Sequence, residues 1–410
     1  MKTLFLATAA FAFSTPTFAQ TYFVDDATVV AENGTHSKTD IIVVDGVIQT
    51  RGARLSAPDG AKTISGGWVT SGLFAPMSSL GMTDIGSAGP GNDVGSETSE
   101  TNVSEFAADS FNPRSVHIAN VRQSGITHAL IAPRSGGNSI FAGTGAVISL
   151  TGGFDSVLNP EAFVMVDMGE TGTIRAGGSR AAAMSQLRAA IEDSEGFFKR
   201  FASQSDGGDV LSRQDAAAFS RAVSGNIPLL IRVNRAADIM RLIDLKSRHD
   251  SLDIIIVGGA EAWEIADAIA AANIRVILDP LQNLPSAFES AGSRLDNITF
   301  LEKAGVEYAI SNLTSLGVTK PATLNQHAGA AVVEGLSWAQ AFSAISSTPA
   351  SWFGIDAPSV VVWDGDPLEV TSAPIAMSIN GEAQSMTSRQ KALRDRYNPT
   401  YEGTLSHKYH

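Results

Sequence analysis

The sequence contains no cysteine in its 410 residues. Disulfide bonds, thiolate metal ligands and a lipid anchor on cysteine are therefore excluded. After the N-terminus, no segment reaches the roughly 18 uninterrupted apolar residues that a membrane-spanning helix needs. The net charge of −13 opposes binding to nucleic acid or to an anionic membrane. Apolar residues make up 44% of the chain, which is ample for a large core, so we expect a soluble protein without a membrane span.

The first residues have the three parts of a secretory signal peptide. A positive charge at Lys2 precedes a short apolar stretch over residues 4–13, and Thr17 and Ala19 supply the small residues of a cleavage site. A buried N-terminal helix is the alternative, but polar sequence follows at once. We expect residues 1–20 to direct export, and an exported chain without cysteine suits the bacterial periplasm.

Residues 21–70 have the pattern of short strands joined by tight turns. Asp45-Gly46 lies between two apolar runs, which is a strong cue for a hairpin. Residues 356–386 return to this pattern, with a second Asp-Gly turn at Asp364-Gly365. We expect the two ends to build one composite β-sandwich domain, and residues 387–410 to form an exposed helix and a tail.

Strand and helix signals alternate between these two ends, over residues 71–355. Strands are predicted at residues 125–133, 145–150, 162–166, 227–233, 252–257, 274–278 and 306–311, and helices at 179–201, 236–248 and 262–272. This alternation predicts a TIM-like (β/α)8 barrel with a parallel sheet. A doubly wound open sheet is the alternative, but no Gly-x-Gly-x-x-Gly motif follows an early strand.

A polar segment interrupts this alternation between residues 81 and 105. It is rich in glycine, serine, threonine and acidic residues, and it has little to bury. Long loops after barrel strands often cover sites, so the segment is interpreted either as a lid or as a plain flexible insertion.

The most specific signal lies in the stretch from Trp68 to Gly81. Together with further markers in the same order, it resembles the amidohydrolase superfamily, and more closely its imidazolonepropionase-like branch. The markers are Asp45–Ile48, Gly67–Leu73, Val257–Trp263 and Val362–Leu368, and Ser388–Tyr397 resembles bacterial exported members. The resemblance covers nearly the whole chain after residue 20 and implies a barrel with a small β domain.

In that family the first barrel strand ends in Asp-x-His-x-His, and two histidines spaced i, i+2 on a strand can hold one divalent cation. This chain has Ala75 in place of the aspartate, and Met77 and Ser79 in place of the histidines. Gly72 and Gly81, which shape the strand and its turn, are retained. The frame of a metal site is present without its ligands.

The resemblance assigns the remaining ligands of the family to residues that are poor metal ligands. The bridging lysine falls at Ser149, the next histidine strand at Arg232 and Asn234, a further histidine at Gly258, and the final aspartate near Asn312, where no carboxylate occurs. We therefore expect former ligand positions around one cavity and no cofactor, with zinc only if the site is rearranged. These positions are Met77, Ser79, Ser149, Arg232, Asn234 and Gly258.

The seven histidines lie at positions 36, 117, 128, 249, 327, 407 and 410, and none forms a His-x-His or His-x-x-x-His pair in the barrel. His128 lies in a predicted strand and is interpreted as a core or rim residue with satisfied hydrogen bonds. His117, His249 and His327 lie in polar helical or loop sequence, which favours solvated positions.

Three charged residues are candidates for chemistry at the barrel mouth. Asp279 could act as a base, or it could cap the turn after Pro280. Glu261 could do the same, or it could begin the helix over residues 262–272, where a carboxylate favours the positive end of the helix dipole. Arg232 could bind a carboxylate, or it could form an ion pair with a neighbouring acid. Met77 is more typical of core filling than of a soft metal site.

Three functional hypotheses follow. The first is a degenerate amidohydrolase-fold protein with a binding or assembly role, as a homo-oligomer, as a partner of an intact relative, or with a small-molecule ligand. The second is an active hydrolase of C–N bonds with a rearranged or single-metal site. The third is a metal-free hydrolase or isomerase that uses Asp279, Glu261 and Arg232. Losing the metal removes roughly 12 kcal/mol of water activation, whereas a lone base contributes only about 10²–10⁴-fold.

Overall fold

The computed structural model describes residues 21–30, 36–44, 47–84, 89–97, 102–197, 210–356 and 359–397. The predicted signal peptide, the Asp45-Gly46 turn, the end of the helix predicted to reach residue 201, and the tail after residue 397 lie outside the described residues. Over the part that is described, sixteen strands form two sheets. In chain order they are β1 (Thr21–Val30), β2 (His36–Val44), β3 (Val47–Gly52), β4 (Lys62–Ser65), β5 (Trp68–Ser71), β6 (Leu73–Ser78), β7 (Ile126–Ile131), β8 (Phe141–Ser149), β9 (Val157–Asp167), β10 (Leu229–Val233), β11 (Ile254–Gly258), β12 (Arg275–Leu278), β13 (Tyr308–Ile310), β14 (Ser359–Trp363), β15 (Pro374–Ile379) and β16 (Glu382–Ala383).

The smaller sheet combines strands from both ends of the chain. Its order is β16-β15-β14-β5-β1-β2-β3, and β4 pairs with β1 beside β5. A register shift between Val24 and Ala27, with Asp26 at a φ of 51°, divides β1 so that its first half pairs with β4 and its second half with β5. The described strands therefore form one sheet that forks at β1, and the two-layered sandwich stays a prediction.

The larger sheet forms a nearly closed barrel in the order β13-β12-β11-β10-β9-β8-β7-β6. Its strands are parallel except β8, which runs antiparallel to both β7 and β9. The expected uniform (β/α)8 alternation is wrong at this point, because residues 132–140 and 150–156 connect these strands without a helix. Antiparallel neighbours need only a short connection, whereas parallel neighbours need a crossover.

A short segment closes the seam between the two outer strands, β6 and β13. The backbone N–H of Phe74 donates to the carbonyl of Ile345 at 2.8 Å, and the N–H of Ile310 donates to the carbonyl of Ala344 at 3.0 Å. Residues 344 and 345 thus satisfy edge groups that a paired strand would otherwise satisfy. Apolar side chains fill the barrel, among them Leu130, Phe163, Leu230, Ile255 and Ile277.

Several helices pack an apolar face against the barrel. The helix from Arg180 to Glu195 shows the pattern: Ser179 caps its first turn by accepting from the Ala181 N–H, and apolar residues three or four apart face the core. None of the helices in the described ranges is long and apolar enough to cross a membrane. The helices are α1 (Val116–Arg122), α2 (Glu170–Arg175), α3 (Arg180–Glu195), α4 (Arg213–Val223), α5 (Ala236–Lys246), α6 (Ala266–Ala271), α7 (Asn297–Ala304), α8 (Ser315–Thr319), α9 (Leu324–Val333), α10 (Trp338–Ser343), α11 (Ser347–Trp352) and α12 (Arg389–Tyr397).

Aromatic residues fasten the small sheet to the barrel. Trp363 of β14 is fully buried, and its Nε1 donates to Thr70 Oγ1 at 3.0 Å. Gly125, just before β7, has a φ of 88°, and a Cβ there would lie 2.3 Å from the Trp363 ring. Trp68 of β5 packs against Trp338 of α10 with ring centroids 5.0 Å apart. These contacts hold the sheet against the barrel.

Candidate functional site

A cavity of about 520 Å³ lies at the carboxyl ends of the barrel strands. Parallel strands bring their carboxyl ends to one edge, and barrel enzymes place their sites there. Five of the six predicted positions line this cavity: Met77, Ser79, Arg232, Asn234 and Gly258. They come from the ends of β6, β10 and β11.

Ser149 does not belong to this group. Because β8 is antiparallel, its last residue lies opposite His128, near the start of β7 and away from the mouth. The Ser149 N–H donates to the carbonyl of Ser156 at 2.8 Å, and its hydroxyl lies 3.2 Å from the hydroxyl of Thr151. The expectation that all six positions surround one cavity is therefore wrong for Ser149. Its sequence predicted the strand but not the direction of the strand.

Arg232 is held at the mouth by a carboxylate that sequence reasoning missed. Asp167 ends β9 beside Arg232 of β10, and the two residues are register partners. One Asp167 oxygen accepts from Arg232 Nη1, and the other accepts from the Ser135 hydroxyl. The side chain of Asp167 is 1% exposed, whereas that of Arg232 is 33% exposed. The ion pair considered as an alternative for Arg232 is present, and its guanidinium also lines the cavity.

The sequence contained a feature that could have identified Asp167 as a residue of the mouth. It directly follows the apolar run over residues 162–166, which was predicted as a strand, so it stands at a strand end like the other mouth residues. Asp279 was considered on the same grounds. No feature of the sequence distinguished the two carboxylates.

Arg134 is a second cation at the cavity wall. Its side chain is 55% exposed and lies 3.8 Å from a Glu97 oxygen. A hydrogen bond from Arg175, a backbone hydrogen bond from Gly137 and the nearby positive charges hold the pKa of Glu97 below its usual range. Among the described lining residues, the charged ones are Arg134 and Arg232. Both charges that reach the cavity wall are therefore positive, and each faces an acid outside the lining.

The polar loop after β6 forms one wall of the cavity through Thr83, Asn92 and Val94. The Arg134 N–H donates to the carbonyl of Val94 at 2.8 Å, which ties the loop to the strand end after β7. Residues 85–88 and 98–101 lie outside the description. The described part of the loop contributes to the cavity wall, and its role as a lid or as a plain insertion stays a prediction.

Asn234 connects the mouth to two glutamates, of which Glu289 is buried. Its Nδ2 donates to Glu289 Oε1 at 3.1 Å, and Glu289 Oε2 accepts from the Glu170 N–H at 2.7 Å. Glu170 Oε1 accepts in turn from the Glu289 N–H at 2.8 Å. These carboxylates join the turn after β9 to the loop after β12. They support Asn234 and do not line the cavity.

Asp279 has a structural role at the end of β12. Its oxygens accept from the backbone N–H groups of Leu281 at 3.0 Å and Leu313 at 3.1 Å. Its Oδ1 also lies 2.9 Å from His327 Nδ1, and both side chains are buried. The interpretation of Asp279 as a cap after Pro280 agrees with this geometry. The solvated position predicted for His327 is wrong, because its helix, α9, packs that face against the end of β12.

Glu261 also caps a helix, although not the predicted one. Its Oε2 accepts from the N–H of Ala236, the first residue of α5, at 3.0 Å. The helix predicted over residues 262–272 is divided into a 3₁₀ turn, Ala262–Ile265, and α6. Near the last barrel strand, Asn312 bonds to Thr323 and Thr314. Neither Glu261 nor Asp279 lines the cavity.

The other described barrel histidines do not line the cavity. His128 is 3% exposed, its Nδ1 lies 3.0 Å from Thr127 Oγ1, and burial lowers its pKa to about 4. Its Nε2 has no hydrogen-bond partner among the described residues, so the prediction of a fully satisfied histidine is wrong. His117 is also buried rather than solvated, with Nε2 3.2 Å from the Asp84 carbonyl. His249 pairs with Glu195 at 2.8 Å.

The residues around the cavity do not fit a divalent metal ion. Zinc and related ions are held by imidazole, thiolate or carboxylate groups. The family's ligand positions carry here a thioether, a hydroxyl, a guanidinium, an amide and a glycine. Across the described ranges, no three His, Asp or Glu side chains converge on one metal-binding point. The arrangement can bind and orient a small molecule through Arg232 and Asn234.

Solved structures share this architecture. An amidohydrolase from Thermotoga maritima MSB8 is 21% identical, with a TM-score of 0.74 over 88% of this chain and 99% of that chain. A prolidase solved with N-methylphosphonate-L-proline is 15% identical (TM-score 0.49; 89% and 99% covered), and molinate hydrolase is 14% identical (TM-score 0.48; 90% and 95% covered). No protein-family model matches the chain, and no curated protein matches its sequence. The chain has the fold of the Thermotoga amidohydrolase.

Proposed function

We propose that this chain is an amidohydrolase-fold protein that has lost metal-dependent hydrolysis and binds a small molecule in the cavity at the barrel mouth. One observation carries the proposal. Arg232, at a position where the family resemblance expects a metal-ligating histidine, lines the cavity as a guanidinium held by buried Asp167. A fixed cation replaces a group that would bind a cation.

Electrostatics supports this proposal over an active metal site. A divalent ion about 5 Å from a guanidinium would be repelled by roughly 7 kcal/mol at an effective dielectric constant of about 20. The neighbouring Met77, Ser79 and Asn234 offer no negative charge, and Asp167, which offsets part of that repulsion, is buried and already bound by Arg232 and Ser135. A rearranged single-metal site would need new ligands at the mouth. The described carboxylates near the mouth already accept hydrogen bonds from other protein groups.

The metal-free hydrolase has less support. A general base must reach the proton that it removes. The oxygens of Asp279 accept from two backbone N–H groups and face His327, and a Glu261 oxygen accepts from the α5 N-terminus. Both carboxylates stabilise loops and helix ends outside the cavity lining.

We also propose the cellular location, the domain organisation and the assembly that the sequence predicts. The protein is exported to the periplasm, and its two chain ends build a composite sandwich beside the barrel. It acts as a homo-oligomer or together with an intact amidohydrolase relative. Co-purification with a relative encoded by a neighbouring gene would support the second arrangement.

The test is elemental analysis of the purified protein, combined with a screen for hydrolysis of dipeptides and cyclic amides. We expect zinc well below one equivalent and no turnover that exceeds the buffer rate. A variant with Arg232→Leu and Asp167→Asn serves as a matched control, because a trace contaminant would give the same background with both proteins. Stoichiometric zinc with turnover that a chelator abolishes would overturn the proposal.

A further inference from the structure

We infer that the cavity at the barrel mouth takes an organic carboxylate, with the charged group bound by Arg232 and Arg134 and an apolar body against the cavity wall. The inference deepens the proposed binding function and rests on it. It names the chemical class of the ligand.

The charge of the lining points to an anion. An arginine has five N–H donors in a fork that matches a carboxylate. Asp167 accepts from Nη1 of Arg232, and the other donors of this side chain, which is one-third exposed, have no hydrogen-bond partner among the described residues. Arg134 is engaged at 3.8 Å by Glu97, whose shorter contact, 2.8 Å, is with Arg175. Two guanidinium groups with spare donors thus meet one cavity.

The position of Asp167 prepares Arg232 for this task. A buried carboxylate that accepts from both Arg232 and Ser135 fixes the orientation of the guanidinium before a ligand arrives. Such preorganisation reduces the entropy that binding loses. The negative charge of Asp167 is shielded from solvent, since 1% of its side chain is exposed.

The size and the apolar wall favour an organic ligand over an inorganic ion. The cavity of about 520 Å³ is in the range of small-molecule sites. Met77, Val94, Val257 and Leu313 line it beside the arginines. A phosphate ion would contact the cations and leave this apolar wall in water. A carboxylate on an apolar body would cover both parts.

A second depression rich in arginine provides a comparison on the same molecule. Arg180, Arg188 and Arg241 line a space of about 340 Å³ between α3 and α5. Arg180 pairs with Asp238 at 2.9 Å, and Arg188 and Arg241 are exposed. Within the described ranges, no buried carboxylate forms a hydrogen bond with either of those two exposed arginines. Arg241→Leu is therefore a control with the same change of charge.

The experiment is isothermal titration calorimetry on chelator-treated full-length protein. The probes are octanoate and benzoate, their neutral amides octanamide and benzamide, and inorganic phosphate. We expect each carboxylate to bind at least about tenfold more tightly than its amide and than phosphate, because charge-assisted hydrogen bonds contribute about 1.5–3 kcal/mol. Equal affinity for carboxylate and amide, or no saturable binding of either carboxylate up to about 10 mM, would overturn the inference.

Three variants locate the binding site. Arg134→Leu removes an exposed cation, and Arg232→Leu with Asp167→Asn removes the buried pair together, so that no unpaired charge is left in either protein's interior. Each should weaken carboxylate binding by about tenfold or more, and Arg241→Leu should leave it unchanged. Wild-type affinity in both mouth variants, or an equal loss in Arg241→Leu, would contradict the assignment.

The outcomes separate this inference from the proposed function. If the untreated protein contains zinc and turns over substrate while the chelated protein still binds octanoate through Arg232, the loss of hydrolysis is wrong and the carboxylate site stands. If zinc and turnover are absent and carboxylates do not bind, the assigned ligand class is wrong and the proposed loss of hydrolysis stands.

Discussion

Polar side chains have different surroundings at the two ends of the barrel. At the carboxyl end, Arg232 and Asn234 are held by buried acids and still face a cavity. At the amino end, His128 is buried, with Phe74 stacked 6.4 Å away and a ring nitrogen without a described partner. The polar groups of the mouth thus remain accessible, as the proposed binding requires, whereas the polar group at the amino end is enclosed by packing.

The largest expected effect tests the support of the mouth. Asp167→Ala would leave the guanidinium of Arg232 without its buried partner, and we expect a loss of about 3 kcal/mol in the free energy of unfolding. Asp244→Ala is the matched control, because its pair with Arg248 at 2.8 Å is exposed and should contribute less than about 1 kcal/mol. Urea denaturation measures both. Equal losses would show that the mouth pair behaves as a surface pair.

A smaller effect belongs to the amino end. Burial lowers the pKa of His128 to about 4, whereas the unfolded chain takes up the proton near pH 6.5. The stabilisation is therefore complete above about pH 6.5 and is lost as the pH falls towards about 4, because the unfolded state binds more protons in that window. We expect wild type to lose about 2 kcal/mol more stability between about pH 7 and pH 5 than His128→Leu does.

Urea denaturation at the two pH values checks this difference. His249→Gln is the control, since His249 pairs with Glu195 near the surface and its removal should leave most of the wild-type dependence in place. An identical pH dependence in wild type and His128→Leu would mean that the amino end does not hold a neutral, buried histidine.

The smallest expected effect on stability returns to the mouth. Arg134→Leu changes an exposed side chain, so we expect its free energy of unfolding to stay within about 0.5 kcal/mol of wild type. Thermal denaturation measures the change. Because the same variant should lose carboxylate affinity, it separates binding from folding at this end. A large destabilisation would instead make Arg134 a packing residue.

Much of the fold was predictable from local patterns. The apolar runs that became β10, β11 and β12 were assigned within two residues of their observed bounds. The three-to-four period that became α3 gave its start within one residue, but α3 ends at Glu195 instead of residue 201. The direction of β8 was not predictable, because an apolar run has the same pattern in either direction. Ser149 was therefore assigned to the wrong end of the barrel.

Within the site, the predicted positions were the ones at the ends of parallel strands. Met77, Arg232 and Gly258 meet because such ends share an edge. The loop residues that complete or support the site were not predictable. Glu289 and Arg134 lie in loops whose paths depend on the packing of the whole barrel.

By itself, the sequence identified five residues of the barrel mouth and determined that the residues expected to be ligands are poor ones for a metal. Periodicity and position along a strand are local properties, so they can be read from neighbouring residues. Only the tertiary structure decided the role of each charge. Arg232 meets Asp167 across 65 residues of chain, and His327 meets Asp279 across 48. Such pairs form where packing brings distant strand ends together, and no local pattern encodes them.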